Sequence, residues 1–154
     1  MTRRRAFIAS MACAVIGIQW LGPKAVNPPV DAAVRLEAHP VPPPVVATLR
    51  RACYDCHSSE TQWPWYARVA PASWLVAGDV ADARKQMNFS RWGRYNPYDR
   101  ADMLDKVCDF VSKHKMPLWQ YRLMHPDARL SDPEIATLCD WSHVEAARLT
   151  QEEK

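Results

Sequence analysis

Proline placement constrains this chain more than any other feature. Thirteen prolines stand against four glycines in 154 residues. Pro23, Pro28, Pro29, Pro40, Pro42, Pro43 and Pro44 all fall between residues 22 and 46. Each lacks an amide proton and has its φ locked by the ring, so this stretch excludes a helix and favours extended polyproline II. It is expected to act as a semi-rigid spacer, lifting a folded body away from what precedes it or wrapping around that body. Three parts follow: residues 1–22, a Pro-rich linker over 23–44, and a body over 45–150.

The first part begins with Arg3-Arg4-Arg5 and continues through an apolar run of about 16 residues ending at Leu21. A cationic start before an uncharged apolar stretch is the pattern of an export signal or signal anchor. A core helix would carry a polar stripe, and none interrupts the run before Gln19. The run is slightly short for a full span, and no clean small-residue cleavage site follows. The expectation is an uncleaved membrane anchor with Trp20 at the interface and the arginines in the cytoplasm, leaving the body periplasmic. Cleavage to a soluble periplasmic form is the alternative.

The same residues account for the basic balance. Lys and Arg number 20, Asp and Glu 17. Residues 1–26 hold four cations and no acid, so 16 basic and 17 acidic residues remain over 27–154, a formal charge of −1. Such a body has no broad cationic face for nucleic acid.

Four stretches of the body have helical character: about 45–57, 71–87, 99–114 and 132–149. Apolar residues recur at three- and four-residue steps in each. Asp99 is a candidate cap for the third, and Ser131 with Glu134 forms a capping box for the fourth. Asn96-Pro97 and Met116-Pro117 read as loops. No stretch alternates as a strand, so the predicted class is all-α: a small bundle of about four helices. That is a thin core for so short a body. Seven tryptophans, six of them after residue 60, are suited to packing on a flat aromatic group.

Cys53-Tyr54-Asp55-Cys56-His57 supplies the chemistry. Cys-x-x-Cys-His is the attachment signature of c-type haem. Two thiols three positions apart can each add across a haem vinyl group, and the adjacent imidazole then faces the iron. A thioredoxin-type pair would sit at a helix start in an α/β pattern. A zinc site would need a second close pair of ligands, and Cys108 and Cys139 are far apart. A simple Cys53–Cys56 disulfide is the remaining alternative. The reading taken is one covalent haem c per chain.

The residues around that motif resemble a known family. Cys53 to Tyr66, with Ser58-Ser59-Glu60-Thr61-Gln62-Trp63-Pro64-Trp65-Tyr66, is similar to the core of the bacterial haem-binding domain family of monohaem c-type cytochrome-like proteins. Ala70-Pro71-Ala72-Ser73-Trp74-Leu75, Asn88-Phe89-Ser90-Arg91-Trp92, Lys115-Met116-Pro117 with Tyr121, and His125-Pro126-Asp127-Ala128-Arg129-Leu130-Ser131 follow in order. The resemblance covers roughly residues 15–142. It implies an exported α-helical haem protein and leaves the physiological role open. Cys108 stands where the family pattern leads one to expect an aliphatic residue.

Met116 is the candidate distal ligand opposite His57, in a Lys-Met-Pro loop. A Met/His pair raises the reduction potential and favours electron transfer. His114 and His125 are lesser candidates, while Met87, Met103 and Met124 read as core. Trp63, Trp65, Tyr66 and Trp74 are candidate pocket walls, and Asn88 a candidate hydrogen-bond donor to the cofactor. Arg68, Arg91 and Arg94 are candidate propionate partners. Cys108 and Cys139 are left open between a disulfide and two buried thiols.

The expected function is single-electron transfer to an unnamed redox partner protein, without nucleic acid. A haem-based gas-binding module and a peroxidase-like enzyme are the alternatives. No catalytic residue is assigned.

Overall fold

In the computed structural model, residues 2–151 are described. They hold seven α-helices and no strand, the all-α class expected from the sequence. The helices are α1 (Thr2–Ile18), α2 (Pro43–Ala52), α3 (Tyr54–His57), α4 (Ala72–Gln86), α5 (Pro97–Ser112), α6 (Trp119–Met124) and α7 (Asp132–Gln151). Four short 3-10 turns lie between them, at Leu36–Ala38, Trp65–Arg68, Phe89–Arg94 and Pro126–Ala128.

The expected membrane anchor is not supported. Among the described residues no helix is long and apolar enough to cross a membrane. Helix α1 has 17 residues, about 26 Å at 1.5 Å per residue, and three of them are the arginines of its first turn. The residues just after it reach the body: the Ala70 amide donates to Gln19 Oε1 at 2.9 Å, and the Trp74 indole N–H donates to the Leu21 carbonyl.

The Pro-rich linker wraps the domain. Leu36 is buried in the same core as Leu49, Trp92 and Leu104. Asn27 donates to the Thr61 carbonyl at 2.8 Å. The segment also yields to a helix earlier than expected. Pro43 opens α2 with Pro44 behind it, because the first helical positions need no amide donor and the ring's fixed φ is already helical.

Local signals fix most other boundaries. Asn96, rather than Asp99, caps α5: its Oδ1 accepts the Asp99 amide at 2.8 Å, with Pro97 at the first helical position. Asn96-Pro97 is therefore a helix start and not merely a loop. Ser131 donates both its amide and its hydroxyl to Glu134 Oε2 at 2.8 Å, which closes the capping box of α7. Arg51 of α2 also pairs with Glu134.

Helices α5 and α7 make the most extensive packing in the fold. Leu104 of α5 and Leu138 and Trp141 of α7 share the core with Phe89 and Trp92. A Cys108–Cys139 disulfide joins the two helices covalently.

Candidate functional site

The predicted helix over 45–57 is broken at Cys53. Its φ of −126° ends α2 and starts α3, so Tyr54–His57 form a separate turn. That turn is closed by the His57 amide donating to the Cys53 carbonyl at 2.9 Å. Tyr54 anchors it from within, stacked on Phe89 with ring centroids 5.1 Å apart. The Ser58 hydroxyl donates to the Tyr54 carbonyl at 2.7 Å and stops the turn.

Arg84 of α4 clamps the exit. Its guanidinium donates to the Ser58 carbonyl (2.7 Å), to Thr61 Oγ1 (2.8 Å), to Asn27 Oδ1 (2.8 Å) and to the Val26 carbonyl (2.9 Å). One cation thus joins the motif, the loop after it and the linker.

The imidazole of His57 is set by backbone. Nδ1 lies 3.3 Å from the Met87 carbonyl oxygen, which can only accept, so Nδ1 carries the proton of the neutral ring. Burial lowers the His57 pKa below its ordinary value and keeps that ring neutral. The Nε2 lone pair is thereby left for a metal.

Cys53 and Cys56 are free thiols. Burial pushes Cys53 up to about 12, helped by the neighbouring Cys56, and pushes Cys56 up to about 11, helped by Asp55. Thioredoxin-type pairs depend on a lowered thiol pKa, so the shift here runs the opposite way.

A cavity of about 520 Å³ lies against this turn. Cys53, Cys56 and His57 line one side. Met103, Val107, Phe110 and Val111 line it from α5, and Met116, Pro117 and Leu118 from the segment that follows. Phe89, Met87 and Tyr121 add to the wall, while Asp79, Asp82, Asp99, Asp102 and Lys106 supply polar edges.

The Met116 segment owes its position to the end of α5. His114 adopts φ 53°, the left-handed conformation of a helix C′ residue. Its amide donates to the Val111 carbonyl at 3.0 Å, and the Lys115 amide donates to the Phe110 carbonyl at 2.9 Å. This is a Schellman closure with His in the usual Gly position. It turns the chain back so that Met116 enters the cavity wall directly after the helix ends.

Comparison with known families places this geometry. The model of the haem-binding domain matches residues 13–144, most of the chain. The chain belongs to the haem-binding domain family. No curated protein and no solved structure matches it.

Haem is accordingly its cofactor, and the cavity fits the group. It lies within the range of about 300–1,000 Å³ typical of ligand sites. Its walls are mainly apolar, it presents two unpaired thiols, and it holds a nitrogen and a thioether donor. Soft sulfur and imidazole are the ligands haem iron accepts in cytochromes.

The aromatic residues expected as pocket walls lie elsewhere in this haem-binding protein. Trp63 donates its indole N–H to Asn27 Oδ1 at 3.0 Å and sits under Arg84. Trp65 is 78% exposed and meets Tyr66 edge-on. Trp74 is spent on Leu21. Asn88 caps the 3-10 turn at Phe89–Arg94, accepting the Ser90 amide at 2.9 Å, and donates to Ser59 Oγ at 3.2 Å. Phe89, Phe110 and Tyr121 supply the aromatic lining instead. Sequence reasoning overlooked Phe110 and Tyr121 in this role. For Phe110 the available signal was its place on α5 one turn before Lys-Met-Pro. Arg68, Arg91, Arg94, His114 and His125 are also absent from the lining. Met87 and Met103, read as core, line the cavity.

Proposed function

We propose that this haem-binding protein is an exported monohaem c-type cytochrome that carries single electrons. Cys53 and Cys56 hold the haem through thioethers, His57 is the proximal ligand, and Met116 the distal one. The observation that carries this reading is that His57 and Met116, distant in sequence, line one apolar cavity together with both thiols.

A bound haem supplies a one-electron iron couple. The residues act around it. Cys53 and Cys56 would hold the group by adding across its two vinyl groups, each S–H and vinyl π bond giving way to one S–C and one C–H bond, which would retain the cofactor on a small domain. Met87, through its carbonyl, holds the His57 ring in the tautomer that exposes Nε2. The Met116 thioether, on a segment fixed by the α5 terminus, would supply the second protein ligand to the iron. Leu49, Val107 and Val111 give the cavity apolar surface.

A peroxidase-like role is less well supported. Among the described residues that line the cavity there is no arginine and no histidine besides His57 to make a distal His/Arg pair, and the aspartates stand at its edges. The cationic start and apolar run favour export, since c-type haem is attached outside the cytoplasm. The electron partner is a redox protein.

The deciding experiment is a reduced-state optical spectrum of the matured full chain, with and without carbon monoxide, beside Met116→Ala. Electron transfer with Met ligation expects a low-spin spectrum that resists carbon monoxide at neutral pH, and its loss in the variant. Rapid binding by the unaltered protein, or a Met116→Ala spectrum unchanged from it, overturns the assignment. Denaturing mass spectrometry checks covalent attachment: a chain without added haem mass defeats the c-type reading.

A further inference from the structure

We propose that Asp55 and Tyr121 form a latch that holds the Met116 segment against the haem cavity, so that a side chain inside the Cys-x-x-Cys-His turn controls access to the distal side. The inference rests on Met116 as the distal ligand and deepens that reading by naming what keeps the ligand in place.

The Tyr121 hydroxyl donates to Asp55 Oδ2 at 2.7 Å, across 66 residues of sequence. Tyr121 lines the cavity, as Met116 does five residues earlier. Asp55 is set in advance by its own loop. Its Oδ1 accepts the Gln62 amide at 2.9 Å, and its carbonyl accepts the Thr61 hydroxyl at 2.6 Å. The carboxylate is therefore a fixed acceptor, and Tyr121 is the arriving partner. Its ring is oriented in turn by stacking on His125, with centroids 4.2 Å apart.

Between Pro117 and Ala128 no side chain is buried to hold this stretch down. Upstream, Met116 is tied by its amide to the Phe110 carbonyl at 3.2 Å. Downstream, Pro117 is buried, and no residue after it is buried until Ala128, where Arg51 donates to the flanking Asp127 and Arg129 carbonyls. Helix α6, between Pro117 and Ala128, has no buried residue, and its Trp119, Leu123 and Met124 are exposed. A segment with so little apolar burial opens locally at small cost, and single polar contacts then set how often it does. A hydrogen bond to a charged acceptor is worth roughly tenfold or more in such an equilibrium. Asp55 and Tyr121 are thus positioning residues for Met116, acting from the attachment side of the cavity.

The test compares the matured full chain with Tyr121→Phe, Asp55→Asn and Met116→Ala. Carbon monoxide association to the reduced protein reports how often the thioether leaves. Amide hydrogen exchange over residues 116–124 reports segment opening without reference to the iron. Tyr121→Phe keeps the ring and removes only the hydroxyl. It is expected to raise both the association rate and the exchange rate about tenfold while leaving the covalent haem in place. Asp55→Asn retains an uncharged acceptor and should fall between the two. Rates for Tyr121→Phe within twofold of the unaltered protein, with Met116→Ala binding fast, overturn the latch alone. Met116→Ala binding no faster than the unaltered protein overturns the axial reading and the latch with it.

Discussion

The Gly93 amide donates to the Val34 carbonyl at 2.7 Å, which ties the Pro-rich linker by backbone to the turn that carries the buried Trp92. A Cβ at position 93 would meet the Val34 Cα at 3.3 Å and His39 Nε2 at 3.2 Å, so the close approach favours glycine. Two residues after Val34 the chain inserts Leu36, only 1% exposed, into the main core. The linker is a structural part of the haem domain.

Leu36→Ala should therefore behave as a core truncation. A loss of about 2–4 kcal/mol is expected, from lost transfer energy plus a residual cavity. Urea unfolding of the matured chain measures it. A loss below about 0.5 kcal/mol would show that the linker merely lies on the surface.

The strained C′ position gives a second prediction. Gly adopts φ 53° without the Cβ penalty that His114 bears, at the cost of a more flexible unfolded chain. His114→Gly should be stabilised by about 0.5 kcal/mol or be neutral, and its optical spectrum should not change. An altered low-spin spectrum would transfer the axial role to His114.

The capping box gives a pH dependence. Hydrogen bonds from the Ser131 amide and hydroxyl, with Arg51 nearby, hold the Glu134 carboxyl below its ordinary value of 4.5. A depressed folded pKa stabilises the protein above the unfolded value, and that stabilisation disappears as pH falls through the folded one. Glu134→Gln should thus cost about 1 kcal/mol at pH near 7. The gap from the unaltered protein should shrink steadily below pH 4.5, as denaturant midpoints at several pH values will report. A gap that is constant with pH would contradict the assignment.

The disulfide gives the largest stability effect. Cys108 and Cys139 close a loop with sequence separation 31 between the two most extensively packed helices. By chain entropy, Cys108→Ala with Cys139→Ala should cost about 3–4 kcal/mol, or roughly 6–15 °C in Tm. A calorimetric melt checks this. The haem spectrum should be retained at low temperature, because neither cysteine lines the cavity.

Much of the fold was legible because its signals are local. Caps, first-turn prolines and the capping box act within one helical turn, so residues 71–87 and 132–149 read as helices and proved to be α4 and α7. The one-turn helix α6 escaped notice because Trp119–Met124 is too short for periodicity to show. The break at Cys53 escaped because nothing in the surrounding residues marks it: only the backbone φ of −126° at Cys53 reveals it.

The Cys-x-x-Cys-His motif is likewise written in the sequence, since the proposed attachment needs two thiols and an imidazole close together along the chain. The sequence offered Met116 from its Lys-Met-Pro setting, and it expressed the chain's all-α character through period and proline alone. Tertiary structure decided the rest. It alone put Met116 on the cavity wall and sent Trp63, Trp65 and Trp74 outward to linker and loop partners. It also joined Cys108 to Cys139 and paired Asp55 with Tyr121. The physical reason is range. Hydrogen bonds within a turn depend on a few neighbouring residues, whereas burial and long-range pairing depend on which faces the whole chain leaves unsatisfied once its helices have packed.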